Sequence, residues 1–156
     1  MTESSTLMEL TLPGGPEAAG WAREAVAAGN GSVPEAVRDE LVLLMTELVT
    51  NAVRHGGAVA GLPVEVVVAR SSRGLRVAVT DPGSGFEWPR RETTPAPREN
   101  GYGLVLVDRL AHRWGIERGE TSTTVWFELS QDEPFPSSGG GVAAPHERAR
   151  EVAAAH

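Results

Sequence analysis

Three polar side chains in the middle of the chain recur at the spacing of a helix. Glu47, Asn51 and His55 are each four residues apart, so a helix would place them on one face. The amide oxygen of Asn suits a hard cation such as Mg²⁺, and a Glu one turn earlier could accept the proton of an attacking hydroxyl. A metal ligand beside a base is what phosphoryl transfer requires. The ordinary alternative is a solvated polar face, which would explain any one of the three alone.

An aspartate followed by two spaced glycines forms a second candidate group. Asp81 stands at the end of a Val-rich segment, and Gly83 and Gly85 follow it at intervals of two. The carboxylate could accept a hydrogen bond from an exocyclic amine, and the glycines would let the backbone approach a flat ring. Glycine turns with Asp as a local cap are common, so a simple turn stays open as the alternative.

Two weaker signals come later, one before a predicted helix and one in the last predicted strand. Gly101-Tyr102-Gly103 could cradle a phosphate through free N–H groups at a helix N-terminus, although short glycine loops are more often only turns. The segment matches neither the P-loop nor the Rossmann fingerprint. Thr123 and Thr124 open a strand, and ordinary β-propensity would account for them.

The elements that must position these groups follow from hydrophobic periodicity and from Gly and Pro breakers. The pattern predicts strands at 8–12, 63–70, 75–80, 113–117 and 123–129, and helices at 16–28, 32–55 and 103–111. Ser32 to Glu35 has the form of a capping box at the start of the longest helix. That helix carries one apolar stripe, formed by Val37, Leu41, Leu44, Met45, Leu48 and Ala52. Hairpins with inserted helices predict an α+β two-layer sandwich, with a mixed, mostly antiparallel sheet of about five strands covered on one face by three helices.

Composition and charge bound the class of protein. The 156 residues carry a net charge of −7, which disfavours direct nucleic-acid binding because that needs a basic face. The absence of cysteine excludes disulfides and Cys-bound zinc. No apolar run approaches the roughly 20 residues of a membrane span, and residues 1–6 lack the features of a signal peptide, so we expect a cytoplasmic protein without membrane contact. Residues 1–130 are expected to form one domain, and residues 131–156 a Gly/Pro/Ala-rich tail that is flexible or partly helical.

Taken in order, the four groups resemble the N, G1, G2 and final Thr boxes of the GHKL ATPases, whose domain has the Bergerat fold. The resemblance extends over residues 7–129. Its most specific part is residues 47–56, whose Glu-x-x-x-Asn-Ala-x-x-His-Gly pattern is similar to the anti-sigma-factor serine/threonine kinases of the RsbW and SpoIIAB kind. Residues 103–108 and 114–115 also resemble that branch.

The resemblance implies a role for each matching residue. Asn51 would ligate Mg²⁺, Glu47 would be the base toward a partner's serine, and Asp81 would bind the adenine amine. The other nucleotide contacts that it implies are Gly83 and Gly85 at the adenine, Gly101, Tyr102, Gly103 and Leu104 along the phosphates, and Thr124, with Thr123 as the alternative, at the adenine end. His55 matches the motif without an assigned chemistry, and we expect it to cap the helix.

The resemblance also implies cofactors and partners. With ATP and Mg²⁺, such a protein phosphorylates a STAS-domain antagonist, sequesters a sigma factor and so regulates transcription, usually as a homodimer. One alternative is a nucleotide-binding partner-switching module without catalysis, against which the presence of Glu47 argues mildly. Another is the ATP-binding half of a histidine kinase, which would need an upstream helical hairpin with a phospho-accepting His, and no His precedes Ser32.

Overall fold

The computed structural model describes residues 5–29, 31–55, 62–83 and 102–131. The elements of this part are, in chain order, β1 (Ser5–Leu12), α1 (Ala18–Ala28), α2 (Glu35–His55), β2 (Val64–Ser71), β3 (Gly74–Asp81), α3 (Tyr102–Leu110), β4 (Arg113–Arg118) and β5 (Thr123–Ser130). Each predicted helix and strand is confirmed in type and place, with ends that differ by a few residues. No helix within these ranges has the length and apolarity to span a membrane. The tail beyond residue 131 lies outside them, so the division into domain and tail stays a prediction.

The five strands form one sheet in the order β1-β2-β3-β5-β4. The hairpins β2–β3 and β4–β5 pair as predicted, whereas β3 and β5 pair across the intervening α3 and β4. Every pairing among the described strands is antiparallel, so no parallel pair of the kind allowed in the prediction occurs there. The β3–β5 pairing brings the end of β3 against the start of β5, with Asp81 directly opposite Thr123.

The three helices pack on one face of this sheet and give the two predicted layers. α2 packs on β2, β3 and β5. α1 contacts α2 and β1, and α3 contacts α2 and β4. The strands turn alternate residues toward the helices, and Val66 in β2 and Val77 in β3 are among those fully buried there. The predicted stripe of α2 is confirmed, because every member of it is buried: Val37, Leu41, Leu44, Met45, Leu48 and Ala52.

The start of α2 differs from the prediction, and the prediction of a capping box at Ser32 is wrong. α2 begins at Glu35, so Ser32 stands three residues before the first helical residue. A capping box at Ser32 would make Val33 helical directly before Pro34. The residue before a proline disfavours the α conformation, because the proline ring clashes with it. Val33 is instead buried outside the helix, and its carbonyl accepts a hydrogen bond from Nη2 of Arg38 at 3.1 Å.

Trp126 of β5 belongs to the sheet face opposite the helices and is buried there nonetheless. The guanidinium of Arg76 lies 4.0 Å from the centre of the indole ring and is held by Glu117 and Glu128, each at 3.5 Å. On the neighbouring β4, Gly115 leaves room for the ring, because a Cβ at that position would meet ring atoms at 2.9 Å. Packing against Trp126 therefore explains the glycine of the Trp114-Gly115 pair.

Candidate functional site

A cleft opens between α2 and the adjoining ends of β3 and β5. The cavity within it has a volume of about 20 Å³. The residues that line it are Leu48, Asn51 and Ala52 from α2, Val79 and Asp81 from β3, and Thr123 and Val125 from β5. Three of them, Asn51, Asp81 and Thr123, are predicted site residues, and the fold brings them together from distant parts of the sequence.

The buried stripe of α2 decides which of its polar residues reaches the cleft. Leu48 and Ala52 belong to that stripe and pack toward the sheet. The half-buried Asn51 lies beside them and therefore lines the cleft. Glu47 is also half-buried, but it stands one turn earlier and is not part of the lining. His55 ends α2, and its side chain lies outside the described residues. Asn51 thus lines the cleft from the margin of the buried stripe.

Asp81 ends β3 as a carboxyl group that is nearly removed from water. It is 5% exposed, and only Thr123 joins it as a buried polar side chain in the described part of the chain. Oδ1 of Asp81 accepts a hydrogen bond from the N–H of Gly83 at 2.9 Å, and Oγ1 of Thr123 donates to the carbonyl of Gly83 at 3.1 Å. Buried polar groups cost free energy unless they are hydrogen-bonded, so these bonds stabilise the turn and the carboxyl group together.

The lining combines apolar walls with a few polar groups, which is the usual composition of a small-molecule site. The walls are apolar side chains from all three elements: Leu48, Ala52, Val79 and Val125. An ionised carboxylate only accepts hydrogen bonds, and its two oxygens can take several donors, so the Asp81 end suits a ligand N–H. The amide oxygen of Asn51 suits a cation or a donor. In chemical character the lining therefore suits an apolar ring with an amine, attached to a polar group that binds a cation.

The part of the chain that the structure describes contains no preformed metal centre beside Asn51. Within the described ranges, no three His, Cys, Asp or Glu side chains are grouped so that they could hold a metal ion. Mg²⁺ does not need such a group, because one or two protein oxygens commonly hold it together with water and the phosphate oxygens of a ligand. The residues around Asn51 therefore fit Mg²⁺ as an ion that arrives with a phosphorylated ligand.

The two threonines of β5 lie on opposite faces of the sheet, and of the two Thr123 lines the cleft. Successive residues of a strand alternate between the faces. Thr123 faces the cleft and is 2% exposed. The hydroxyl of Thr124 instead forms a 2.8 Å hydrogen bond with that of Thr80, away from the cleft. Thr123, the alternative of the two, is the cleft residue.

The remaining predicted contacts lie at or beyond the limit of the described residues. Gly85 and Gly101 are outside that limit. Tyr102, Gly103 and Leu104 open α3, which packs beside α2, but their side chains are not described. Their contacts with a ligand stay predictions.

The apolar walls of the cleft are the residues that the sequence prediction missed. Val79 precedes Asp81 by two residues and Val125 follows Thr123 by two, so strand alternation places each pair on one face. The helix period likewise places Leu48 on the side of α2 that faces them. Periodicity could have identified all three once the site strands were chosen.

One carboxyl group of α2 has a shifted pKa outside the cleft. Burial raises the pKa of Glu40, and the adjacent carboxylate of Asp39 raises it further. Glu40 stands about two turns before Glu47 and does not line the cleft. The shift therefore belongs to the packing of α2 rather than to the candidate site.

Comparisons with known proteins identify the family of this fold. A family model described as a histidine kinase-like ATPase domain matches residues 14–129. An uncharacterised protein of Streptomyces coelicolor is 34% identical over 96 residues, which cover 58% of this chain and 86% of that protein. A crystal structure of the RsbU and RsbW domains of Rv1364c from Mycobacterium tuberculosis superposes with a TM-score of 0.55 at 20% identity. That match covers 79% of this chain but only 31% of the solved chain.

Proposed function

This chain belongs to the histidine kinase-like ATPase domain family, and on that premise we propose that it binds Mg–ATP and transfers the γ-phosphate to a serine or threonine of a partner protein. The observation that carries the proposal is the buried Asp81, held by Gly83 at the end of an apolar cleft that Asn51 also lines. A nucleotide has an aminated ring at one end and a charged phosphate chain at the other. Asp81 and Asn51 suit these two ends respectively.

The adenine ring fits the Asp81 end of the cleft. The carboxylate would accept a hydrogen bond from the exocyclic amine, with the ring against the apolar side chains of Leu48 and Val79. Gly83 and Gly85 would let the backbone approach the ring closely. Guanine carries a carbonyl oxygen at the same position, which would face the carboxylate without a proton between them. We therefore expect Mg–ATP to bind more tightly than Mg–GTP.

The phosphates and their metal ion belong at the Asn51 end. The amide oxygen of Asn51 would be the protein ligand of Mg²⁺, with phosphate oxygens and water completing its coordination. The bound ion would neutralise charge on the phosphates during transfer. Backbone N–H groups of Gly101, Tyr102, Gly103 and Leu104, at the start of α3, would hold further phosphate oxygens.

Glu47 is the residue that we assign as the general base. It stands one turn before Asn51 on the same margin of α2, with a half-buried side chain. A hydroxyl brought to a phosphate at Asn51 would therefore come close to its carboxylate, which could accept the proton.

Glu47→Gln separates binding from chemistry. The amide cannot act as a base, so phosphoryl transfer should fall about 10²- to 10⁴-fold, the usual contribution of general base catalysis. The affinity for Mg–ATP should stay within about twofold, because Glu47 does not line the cleft. Single-turnover transfer and calorimetric titration measure the two effects. Transfer at the wild-type rate would remove Glu47 from the mechanism.

The acceptor that we propose is a STAS-domain antagonist, and the second partner is a sigma factor that the protein would sequester. Support comes from the motif at residues 47–56 and from the fold that the chain shares with a solved chain containing an RsbW domain. In this scheme a cytoplasmic homodimer regulates transcription through protein partners. A net charge of −7 is consistent with a protein that does not itself bind DNA, because DNA binding needs positive charge to pair with the phosphates.

Labelling with γ-labelled ATP tests the proposed activity against its two alternatives. The protein is incubated with Mg²⁺, the labelled nucleotide and each STAS-domain protein of the same organism, and the acid stability of the label is measured. Acid-stable label on a STAS protein indicates phosphoserine or phosphothreonine and supports the kinase. ATP binding with no transfer to any of them would favour a non-catalytic partner-switching module. Acid-labile label on a histidine would favour the ATP-binding half of a histidine kinase.

A further inference from the structure

A side-chain hydrogen bond joins α3 to β4. Nε1 of Trp114 donates to Oδ1 of Asp108 at 2.9 Å. Asp108 stands in the last turn of α3, where a carboxylate is disfavoured because the helix dipole places partial negative charge there. The indole N–H thus stabilises a carboxylate whose position the helix alone would not favour.

α3 packs on the core along one side, and its opposite side is exposed. The helix is nine residues long. Among its side chains described from Val105 onward, that of Val107 is buried and those of Leu106 and Leu110 are half-buried against the core, while Val105 is 45% exposed. A helix this short is not stable through its own propensity, so its tertiary contacts must hold it.

The backbone anchors the C-terminal end of α3. The N–H of Ala111 donates to the carbonyl of Val107, and the N–H of His112 donates to the carbonyl of Glu128 in β5, both at 2.9 Å. β4 begins at the next residue, so a short connection joins α3 to the sheet. The hydrogen bond of Asp108 lies about one turn back along the helix. It adds a directional side-chain contact between α3 and β4 to the apolar packing and the backbone connection, and so helps to set the direction of the helix axis.

We propose that Asp108 and Trp114 are positioning residues for the phosphate end of the nucleotide site. By fixing the direction of α3, they hold its first turn, which begins at Tyr102, toward the phosphates. The inference rests on the proposed function, because the first turn of α3 has this role only when a nucleotide binds. The adenine end is built from α2, β3 and β5, so it does not depend on the direction of α3.

Comparing Mg–ATP with adenosine tests this inference, because adenosine lacks the phosphates. Trp114→Phe keeps an aromatic ring and removes the N–H donor. We expect the Kd for Mg–ATP to rise about two- to tenfold, which corresponds to the loss of one hydrogen bond, while the Kd for adenosine stays unchanged. Calorimetry measures the first constant, and methyl chemical shifts of the cleft residues measure the second.

Variants of Asp108 show whether the hydrogen bond itself is responsible. Asp108→Ala should weaken Mg–ATP binding as much as Trp114→Phe does, whereas Asp108→Asn keeps an accepting oxygen and should keep the wild-type Kd. Because both residues act through one bond, the double variant Trp114→Phe/Asp108→Ala should bind no more weakly than either single variant.

Trp21→Phe is the matched control, since this indole is 49% exposed on α1, and it should keep the wild-type affinity for both ligands. An equal loss of ATP and adenosine affinity in Trp114→Phe, or no loss of ATP affinity, would overturn the inference. A wild-type protein that binds neither ligand would overturn the proposed function as well. If the wild type binds both ligands and Trp114→Phe binds them equally well, the positioning role of Asp108 and Trp114 is wrong but the proposed function stands.

Discussion

Asp81 is held almost out of water, and the residues around it set the direction of its carboxyl group. Burial of an ionised carboxylate is unfavourable unless its oxygens are hydrogen-bonded. The N–H of Gly83 supplies one such bond, and the hydroxyl of Thr123 holds the same glycine through its carbonyl. An acceptor that is already oriented avoids part of the cost of ordering a site when a ligand arrives. The affinity for the adenine ring should therefore depend on this turn.

Thr123→Val tests that dependence at the scale of one hydroxyl. Loss of its hydrogen bond to Gly83 should weaken Mg–ATP binding about two- to tenfold, because the turn loses a contact that holds it. Thr124→Val is the matched control, with the same change one residue along the strand but on the opposite face, where its partner is Thr80. Calorimetric titration measures both variants. Equal losses would contradict the assignment of Thr123 to the cleft.

At the scale of elements, packing that extends beyond the cleft helps to hold the parts of the site in place. α2 is held by its apolar stripe, and β5 is held between β3 and β4. Thr123 and Trp126 belong to the same strand, one at the cleft and the other enclosed by Arg76 and Gly115 on the opposite face. The packing of Trp126 therefore helps to hold the strand that carries the cleft residue.

Gly115→Ala should destabilise the protein by about 1–3 kcal/mol, the usual cost of overpacking. The reason is that a Cβ at this position would meet the ring of Trp126 at 2.9 Å. Gly20→Ala is the control, because it lies inside α1 with the guanidinium of Arg23 as its nearest neighbour, at 3.9 Å. In a helix interior that change should stabilise by about 0.5–1 kcal/mol. Urea unfolding measures both, and a Gly115→Ala variant as stable as the wild type would contradict the packing argument.

At the scale of the whole molecule, the predictable features were those that a local pattern specifies. The stripe of α2 follows from the helix period, and the two hairpins follow from alternating strands joined by turns. The pairing of β3 with β5 is not local, so the pattern alone could not place Asp81 opposite Thr123. The motif resemblance identified Asp81 and favoured Thr124 over Thr123. A shift of one residue in a strand exchanges its two faces, so the resemblance alone could not decide which threonine lies at the cleft.

Thermal unfolding with and without Mg–ATP tests most directly the central claim that this cleft binds the nucleotide. A ligand that binds only the folded state adds about 2.7 kcal/mol to the free energy of unfolding at about 100 times its Kd. We predict a raised unfolding midpoint for the wild type and no rise for Asp81→Asn. EDTA removes the Mg²⁺ that Asn51 would ligate. For Asn51→Ala with Mg–ATP we therefore predict only the rise in unfolding midpoint that the wild type shows with ATP and EDTA. An unchanged wild-type midpoint, or a full rise in both variants, would contradict the claim.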